Sequence, residues 1–200
     1  MGKGNGCVPS KNGPLVTVSD TNPIPIPIPI PDQLKSKAGE ISRNLRIFIV
    51  YYSMYGHVDL LAKRMKKGVD SVDGVEGVLF KVPETLPLET LEQMRVPVKD
   101  DGVPVISVEE MVEADGFLFG FPTRLTAVSV LAYHGMVYVP IGYTFGSEMS
   151  NLESIRGGSP YGAGVFSGNG SRPLSSIELD LAHHQGKYMA TLLKQRSLPR

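Results

Sequence analysis

Ser53, Tyr55, Gly56 and His57 stand together in the stretch SMYGH, between one apolar run and one amphipathic run. RIFIVYY, residues 46–52, is β-branched and aromatic almost throughout, as a strand buried on both faces is. In VDLLAKRMKKGVDSV, residues 58–72, Val58, Leu61, Ala62, Met65, Val69 and Val72 recur at helical spacing, with lysines on the other face. The polar loop therefore joins the end of a strand to the start of a helix. First-turn amides lack intrahelical partners and lie at the positive end of the helix dipole, so this position suits a phosphate. Ser53 and Tyr55 add hydroxyl donors, and Gly56 admits close approach or positive φ. With no Walker lysine and no GxGxxG, the loop is neither a P-loop nor the usual dinucleotide fingerprint. It fits the phosphate of flavin mononucleotide (FMN) better. The residues alone leave open an ordinary βα turn with His57 as a first-turn helix residue.

The elements around the loop alternate. VEGVLFKV (75–82) reads as a second strand, followed by a long proline-punctuated stretch with one helical turn near residues 88–94. Ser107 and Glu110 have capping-box spacing. DGFLFGFP (115–122) reads as a third, central strand, and Pro122, Thr123 and Arg124 leave its C-terminal end. LTAVSVLAYHG can form about three helical turns. MVYVPIGY (136–143) is expected as a fourth strand, and residues 175–196 as a closing amphipathic helix with Lys194 and Arg196 near its end. Such alternation predicts an α/β fold with a parallel, doubly wound sheet. In the flavodoxin-like strand order, ligands bind outside the C-terminal ends of the first and third strands. Here those ends carry SMYGH and PTR.

Other constellations carry less. Gly162 and Gly164 are followed by Ser167 where GxGxxG needs its third glycine, so no Rossmann site is expected there. His183 and His184 are adjacent on a helix, with no carboxylate or cysteine at ligand spacing, so no metal site is expected. His134, in YHGM, is placed to cap the end of a helix. Twenty basic residues balance twenty acidic ones, which gives no sign of a nucleic-acid partner. The longest apolar run is too short to span a bilayer, and the start has no secretory pattern. A single cysteine excludes an internal disulfide and fits a reducing, cytoplasmic compartment.

Residues 1–44 read as a disordered tail outside a folded domain spanning 45–198. PIPIPIPIP, residues 23–31, predicts a polyproline-II rod of roughly 28 Å, at about 3.1 Å per residue. Gly2 and Cys7 could accept myristate and palmitate, the two chains that stable attachment needs, although Gly6 stands where the myristoylation motif wants Ser or Thr. That pairing would attach the protein peripherally to the plasma membrane.

The stretches IVYYSMYGHV, VPETLP, EADGFLFGFPTR, HGMVYVPIGYTFG, GGSPYGAG, GSRP and HQGKY together resemble the flavodoxin-like NAD(P)H:quinone oxidoreductases of the WrbA type, particularly the plant members. The resemblance runs from about Arg46 to about Leu193 with one break. After Arg124, where the family continues with a phenylalanine, a glycine and a long helix, this chain runs straight into Leu125. Roughly 45 residues, one αβ unit including a fourth strand and a glycine-rich loop, are missing relative to the family, which leaves a four-stranded sheet to be expected. The resemblance implies an FMN enzyme in which NADH or NADPH gives hydride and a quinone accepts two electrons to become a hydroquinone. The flavin carries that chemistry, so no protein acid–base catalyst is named. It further implies that Ser53, Met54, Tyr55, Gly56, His57 and Val58 hold the FMN phosphate, and that Pro122, Thr123 and Arg124 line the ribityl chain and ring. Tyr55 would also touch the nicotinamide nucleotide. His134 would reach FMN across a subunit interface, which implies a homo-oligomer, a dimer or tetramer. The break also implies an alternative: a non-catalytic shortened isoform that binds full-length subunits or is unstable.

Overall fold

The computed structural model describes residues 43–97, 102–122, 131–151, 155–168 and 170–197. Within them lies a parallel sheet of three strands, β1 (Leu45–Tyr51), β2 (Val75–Lys81) and β3 (Gly116–Gly120), in the order β2-β1-β3. Leu45 stands opposite Val75 and Tyr51 opposite Lys81 on one side, with Ile47 opposite Gly116 and Tyr51 opposite Gly120 on the other. Hydrogen-bonded on both edges, β1 is the central strand. That placement explains its apolar composition: apart from the half-buried Arg46, every residue of the strand is buried. The order is the 2-1-3 start of a flavodoxin-like sheet.

The two faces of β1 alternate as a strand dictates. Leu45, Ile47, Ile49 and Tyr51 share one core with Val75 and Leu118, and Ala62, Val69 and Ala190 cover it. These last three belong to α1 (His57–Asp70) and α4 (Ser176–Ser197). Phe48 and Val50 point the other way, to Phe80 and the half-buried Phe117, Phe119, Ile106 and Ala114. The guanidinium of Arg46 lies 5.1 Å from the centre of the Phe48 ring. The long stretch between β2 and β3 carries α2 (Leu88–Gln93), the expected helical turn, and α3 (Val108–Met111). The capping box forms as its spacing predicts: Ser107 Oγ accepts from the Glu110 amide, and the Glu110 carboxylate accepts from the Ser107 amide at 2.9 Å. This carboxyl lies below its ordinary pKa because of those bonds to Ser107.

One expectation fails. Residues 136–143 are not a strand, and the sheet among the described residues has three strands rather than four. A strand forms only where a neighbour takes its hydrogen bonds. Here the partners lie in the glycine-rich loop instead: the Gly142 amide donates to the Pro160 carbonyl at 2.8 Å, and the Tyr138 hydroxyl to the Tyr161 carbonyl at 3.0 Å. Pro140 removes a donor from the middle of the segment. Ile141 is buried against Met149 and Leu181 in a separate small core, next to a 3₁₀ helix (Gly146–Ser150). Residues 131–133 are helical, and the rest of the expected helix before them, 125–130, lies outside the described residues. So do residues 1–42, with the Pro-Ile run, Gly2 and Cys7.

The helices α1 and α4 cross with their backbones in contact. A Cβ at Gly68 would lie 2.0 Å from the His183 carbonyl oxygen, and one at Gly186 would lie 2.1 Å from the Met65 carbonyl oxygen. Both obstacles are main chain and neither can swing aside. An alanine would gain about 1 kcal/mol of helix propensity, yet the overlap forces the helices apart. Gly186→Ala is therefore expected to destabilise the domain by about 1–3 kcal/mol net. Lys67→Ala, on the exposed side of α1, should change stability by less than about 0.5 kcal/mol. Urea unfolding of both variants checks the contrast.

Candidate functional site

β1 and β3 end side by side. The Tyr52 amide donates to the Gly120 carbonyl at 2.9 Å, so the loops that follow both strands start from the same place. From β1 the chain runs through Ser53, Met54 and Tyr55 to Gly56, which takes φ 87° and turns it into α1. That left-handed conformation is open to glycine without strain. Gly56 is also the N-cap, and it has no side chain to satisfy the first-turn amides. Asp59, the acidic residue of that turn, is engaged elsewhere: it accepts from the Tyr51 hydroxyl at 2.5 Å and pairs with Lys63 at 3.0 Å.

A cavity of about 760 Å³ opens at this point. Ser53, Met54, Tyr55, His57 and Val58 line it from the first loop, and Phe121 and Pro122 from the second. Residues of the 136–141 segment form a further wall, and Gly158, Ser159, Tyr161, Gly162, Ala163, Gly164 and Val165 of the glycine-rich loop another. Ser53 Oγ is buried in this wall with no hydrogen-bond partner among the described residues. Such an orphan costs free energy unless a ligand or water meets it. His57 Nε2 lies 2.9 Å from the Arg172 carbonyl oxygen. A carbonyl only accepts, so Nε2 carries the hydrogen. Tyr55 is 44% exposed at the rim, its hydroxyl donating to the Met94 carbonyl at 3.3 Å.

Beneath the glycine-rich loop sits Glu178, the one buried charged residue of the described core. Ser175 and Glu178 form a second capping box, at the start of α4: the Ser175 amide donates to Glu178 Oε2 at 2.8 Å and the Glu178 amide to Ser175 Oγ at 3.3 Å. Burial alone would raise this carboxyl. The Arg172 guanidinium and the amides of Ser175, Gly157 and Phe166 outweigh it and hold the pKa down at about 2.

The structure thus brings Ser53, Met54, Tyr55, His57, Val58 and Pro122 to one cavity, with Gly56 as the hinge of the same loop. Thr123 and Arg124 lie outside the described residues. His134 is exposed, just after the short helical turn, and is not among the cavity's lining residues. His184 packs between the rings of Phe145 and Tyr188 and pairs with Thr144 Oγ1 at 2.9 Å, and burial, with His183 and Lys187 nearby, lowers its pKa. Sequence reasoning missed Glu178 and Arg172. The S-x-x-E spacing of Ser175 and Glu178, the same signal as at Ser107, was there to find the first.

A parallel sheet in the order 2-1-3, with a cavity at the C-terminal ends of its first and third strands, defines a flavodoxin-like α/β protein. No protein-family model matches the chain. Among curated proteins it is 43% identical, over 273 residues covering 100% of both chains, to a probable NAD(P)H dehydrogenase (quinone) FQR1-like 2 of Arabidopsis thaliana. It is 45% identical over 197 residues to the quinone-oxidoreductase QR2 of Triphysaria versicolor, covering 75% of this chain and 96% of that one. It is 35% identical over 191 residues to the NAD(P)H quinone oxidoreductase YCP4 of Candida albicans, covering 72% of this chain and 66% of that one. The chain belongs to the flavodoxin-like NAD(P)H quinone oxidoreductase family. The Triphysaria match also measures the shortening. It takes in 75% of 200 residues, about 150, over 197 aligned positions, so about 47 of those positions have no counterpart here.

The Glu178 carboxyl titrates at about 2 in the fold against 4.5 ordinarily. A carboxyl lowered by folding stabilises the fold fully above its ordinary pKa and loses that contribution as pH falls toward the folded value. Glu178→Gln should therefore lower stability most at neutral pH, and its gap to the unaltered protein should close between pH 4.5 and pH 2. Urea unfolding at a series of pH values reads this directly. A gap that stays constant with pH would refute it.

Proposed function

We propose that the chain is an FMN-dependent NAD(P)H:quinone oxidoreductase that reduces quinones by two electrons to hydroquinones. The observation that carries this is the buried, unpartnered Ser53 hydroxyl beside an uncapped helix start, inside a cavity at the sheet's switch point. An anion with several acceptor oxygens satisfies the hydroxyl and the first-turn amides together. The apolar and aromatic remainder of the wall suits a flat ring. Ser53, Met54, Tyr55, Gly56, His57 and Val58 would hold the phosphate, and Pro122 would lie along the sugar-like chain, continued by Thr123 and Arg124. The flavin, when bound, supplies hydride acceptance from NADH or NADPH and electron delivery to the quinone. The protein's part is to bind, orient and exclude water. Tyr55, exposed at the rim, would touch the nicotinamide nucleotide.

A second reading keeps the fold but not the reaction: a shortened isoform that binds full-length subunits through the surfaces it retains. The shortfall of about 47 aligned residues favours it, as does β3, which has no outer partner strand among the described residues. Homo-oligomerisation, with His134 reaching a neighbouring subunit's flavin, belongs to the first reading. Acylation of Gly2 and Cys7 would tether either form to a membrane surface, and among the described residues no helix is long and apolar enough to cross one.

The absorbance spectrum separates the readings. After incubation with FMN and removal of free ligand, the protein is expected to retain flavin bands at near one per chain. Ser53→Ala should weaken FMN binding about tenfold, the loss of one hydrogen bond to a charged group, with unchanged circular dichroism. A folded but colourless protein would overturn the oxidoreductase reading in favour of the isoform.

A further inference from the structure

A capping box needs one carboxylate oxygen and one serine. At α3 the contacts are of that kind: among the described residues the Glu110 carboxylate bonds Ser107. At α4 the arrangement goes well beyond it. Glu178 is 0% exposed, and while Oε2 serves the cap, Oε1 accepts from the Gly157 amide at 2.7 Å, the Phe166 amide at 3.1 Å and Arg172 Nη1 at 3.0 Å. Arg172 then donates Nη1 to the Phe166 carbonyl at 2.9 Å and Nη2 to the Ile155 carbonyl at 2.8 Å. Ile155 and Gly157 enter the glycine-rich loop, and Phe166 leaves it. The two limbs touch at that neck, where a Cβ on Gly157 would lie 2.6 Å from the Phe166 nitrogen. One ion pair, its carboxylate buried and its guanidinium half-buried, therefore ties both limbs of the loop whose tip walls the cavity. The same Arg172 gives its own carbonyl to His57 Nε2 in the first turn of α1.

We propose that Glu178 and Arg172 are positioning residues for the cavity: their ion pair clamps the neck of the 158–165 loop and sets the carbonyl that orients His57, so that loop and phosphate-binding turn are held in one geometry. Its bearing on FMN rests on the flavin reading above. The clamp itself is a property of this chain's own residues. Burying a charge pair is costly and adds little stability over an apolar equivalent. A helix cap alone does not require it, as Ser107 and Glu110 show. What the pair adds is a fixed relation between two loops far apart in sequence.

The test uses the full chain with Glu178→Gln, Arg172→Lys and, as a control, Glu110→Gln, which makes the same chemical change at a cap without a clamp. Two readouts need no flavin. Tyr161, 66% exposed at the loop tip, should be cut by chymotrypsin at least about tenfold faster in both clamp variants and not in the control, the change expected when about 1.4 kcal/mol of neck hydrogen bonding is lost. The His57 ring resonances, read by NMR at one fixed pH, should shift in the clamp variants alone, since their hydrogen bond to the Arg172 carbonyl is disturbed. A third readout uses flavin fluorescence. Preference for FMN over riboflavin, which lacks the phosphate, should fall about tenfold, a ratio that uniform destabilisation leaves unchanged. Clamp variants that fold with the unaltered cleavage rate and His57 resonances would overturn the proposal. Should Glu178→Gln fail to fold, Arg172→Lys, which keeps both charges, decides by the same criteria. Failure of the unaltered protein to hold FMN would sink the flavin reading, and cleavage and the His57 resonances would still decide the clamp.

Discussion

Gly68 and Gly186 let α1 and α4 meet backbone to backbone, and the arrangement of the site depends on that contact. All three strands come from the part of the chain before residue 121. Among the described residues, the part after 131 adds no strand, so α4 is what binds it to the sheet. α4 lays Ala190, Met189 and Leu193 on the β1 core and carries Glu178 in its first turn. Halfway along, Gln185 accepts from the Ala163 amide at 2.7 Å and so holds the glycine-rich loop a second time. A wider crossing would carry both anchors away from His57. The spacing of the two helices thus fixes the width of the cavity.

Much of this was legible in the sequence because it follows from local patterns. An unbroken apolar run gives a strand buried on both faces, and β1 is that strand. Helical periodicity gave α1 and α4 to within a few residues. Ser107 and Glu110 formed the box their spacing implies. What failed was the part that depends on a partner. MVYVPIGY has strand composition, but composition supplies no neighbour to bond with, and residues 136–143 bond to the glycine-rich loop instead. The clamp was hidden for a related reason. Glu178 reads as a surface glutamate of an amphipathic helix, and only the folded chain brings Gly157, Phe166 and Arg172 around it. Gly68 and Gly186 likewise read as weak points in helices until the crossing shows what needs the space.

The break expected after Arg124 would fall beyond β3 in this sheet. The Tyr52 amide bonds the Gly120 carbonyl, and Ile47 stands opposite Gly116. With that register, alternate residues of β3 turn to β1 and the backbones of Phe117 and Phe119 face outward. In a longer flavodoxin-like sheet the next strand would lie there. Here the stacked rings of Phe117, Phe119 and Phe121 run along that strand, at 5.4 Å and 6.1 Å between centroids. An outer edge of this kind invites a strand from another chain.

The two ends of the cavity do not depend equally on the missing unit. Ser53, Gly56 and His57 are set by β1 and α1, whose pairings and packing are complete. The opposite wall, residues 158–165, comes from the distal half and reaches the cavity through Arg172, Glu178 and α4. A ligand held at its anionic end would feel the clamp there too, because His57 Nε2 bonds the Arg172 carbonyl at 2.9 Å. The orientation of its other end would follow the clamp. Under the flavin reading proposed above, loss of neck geometry would therefore loosen the phosphate end through His57 as well as the ring.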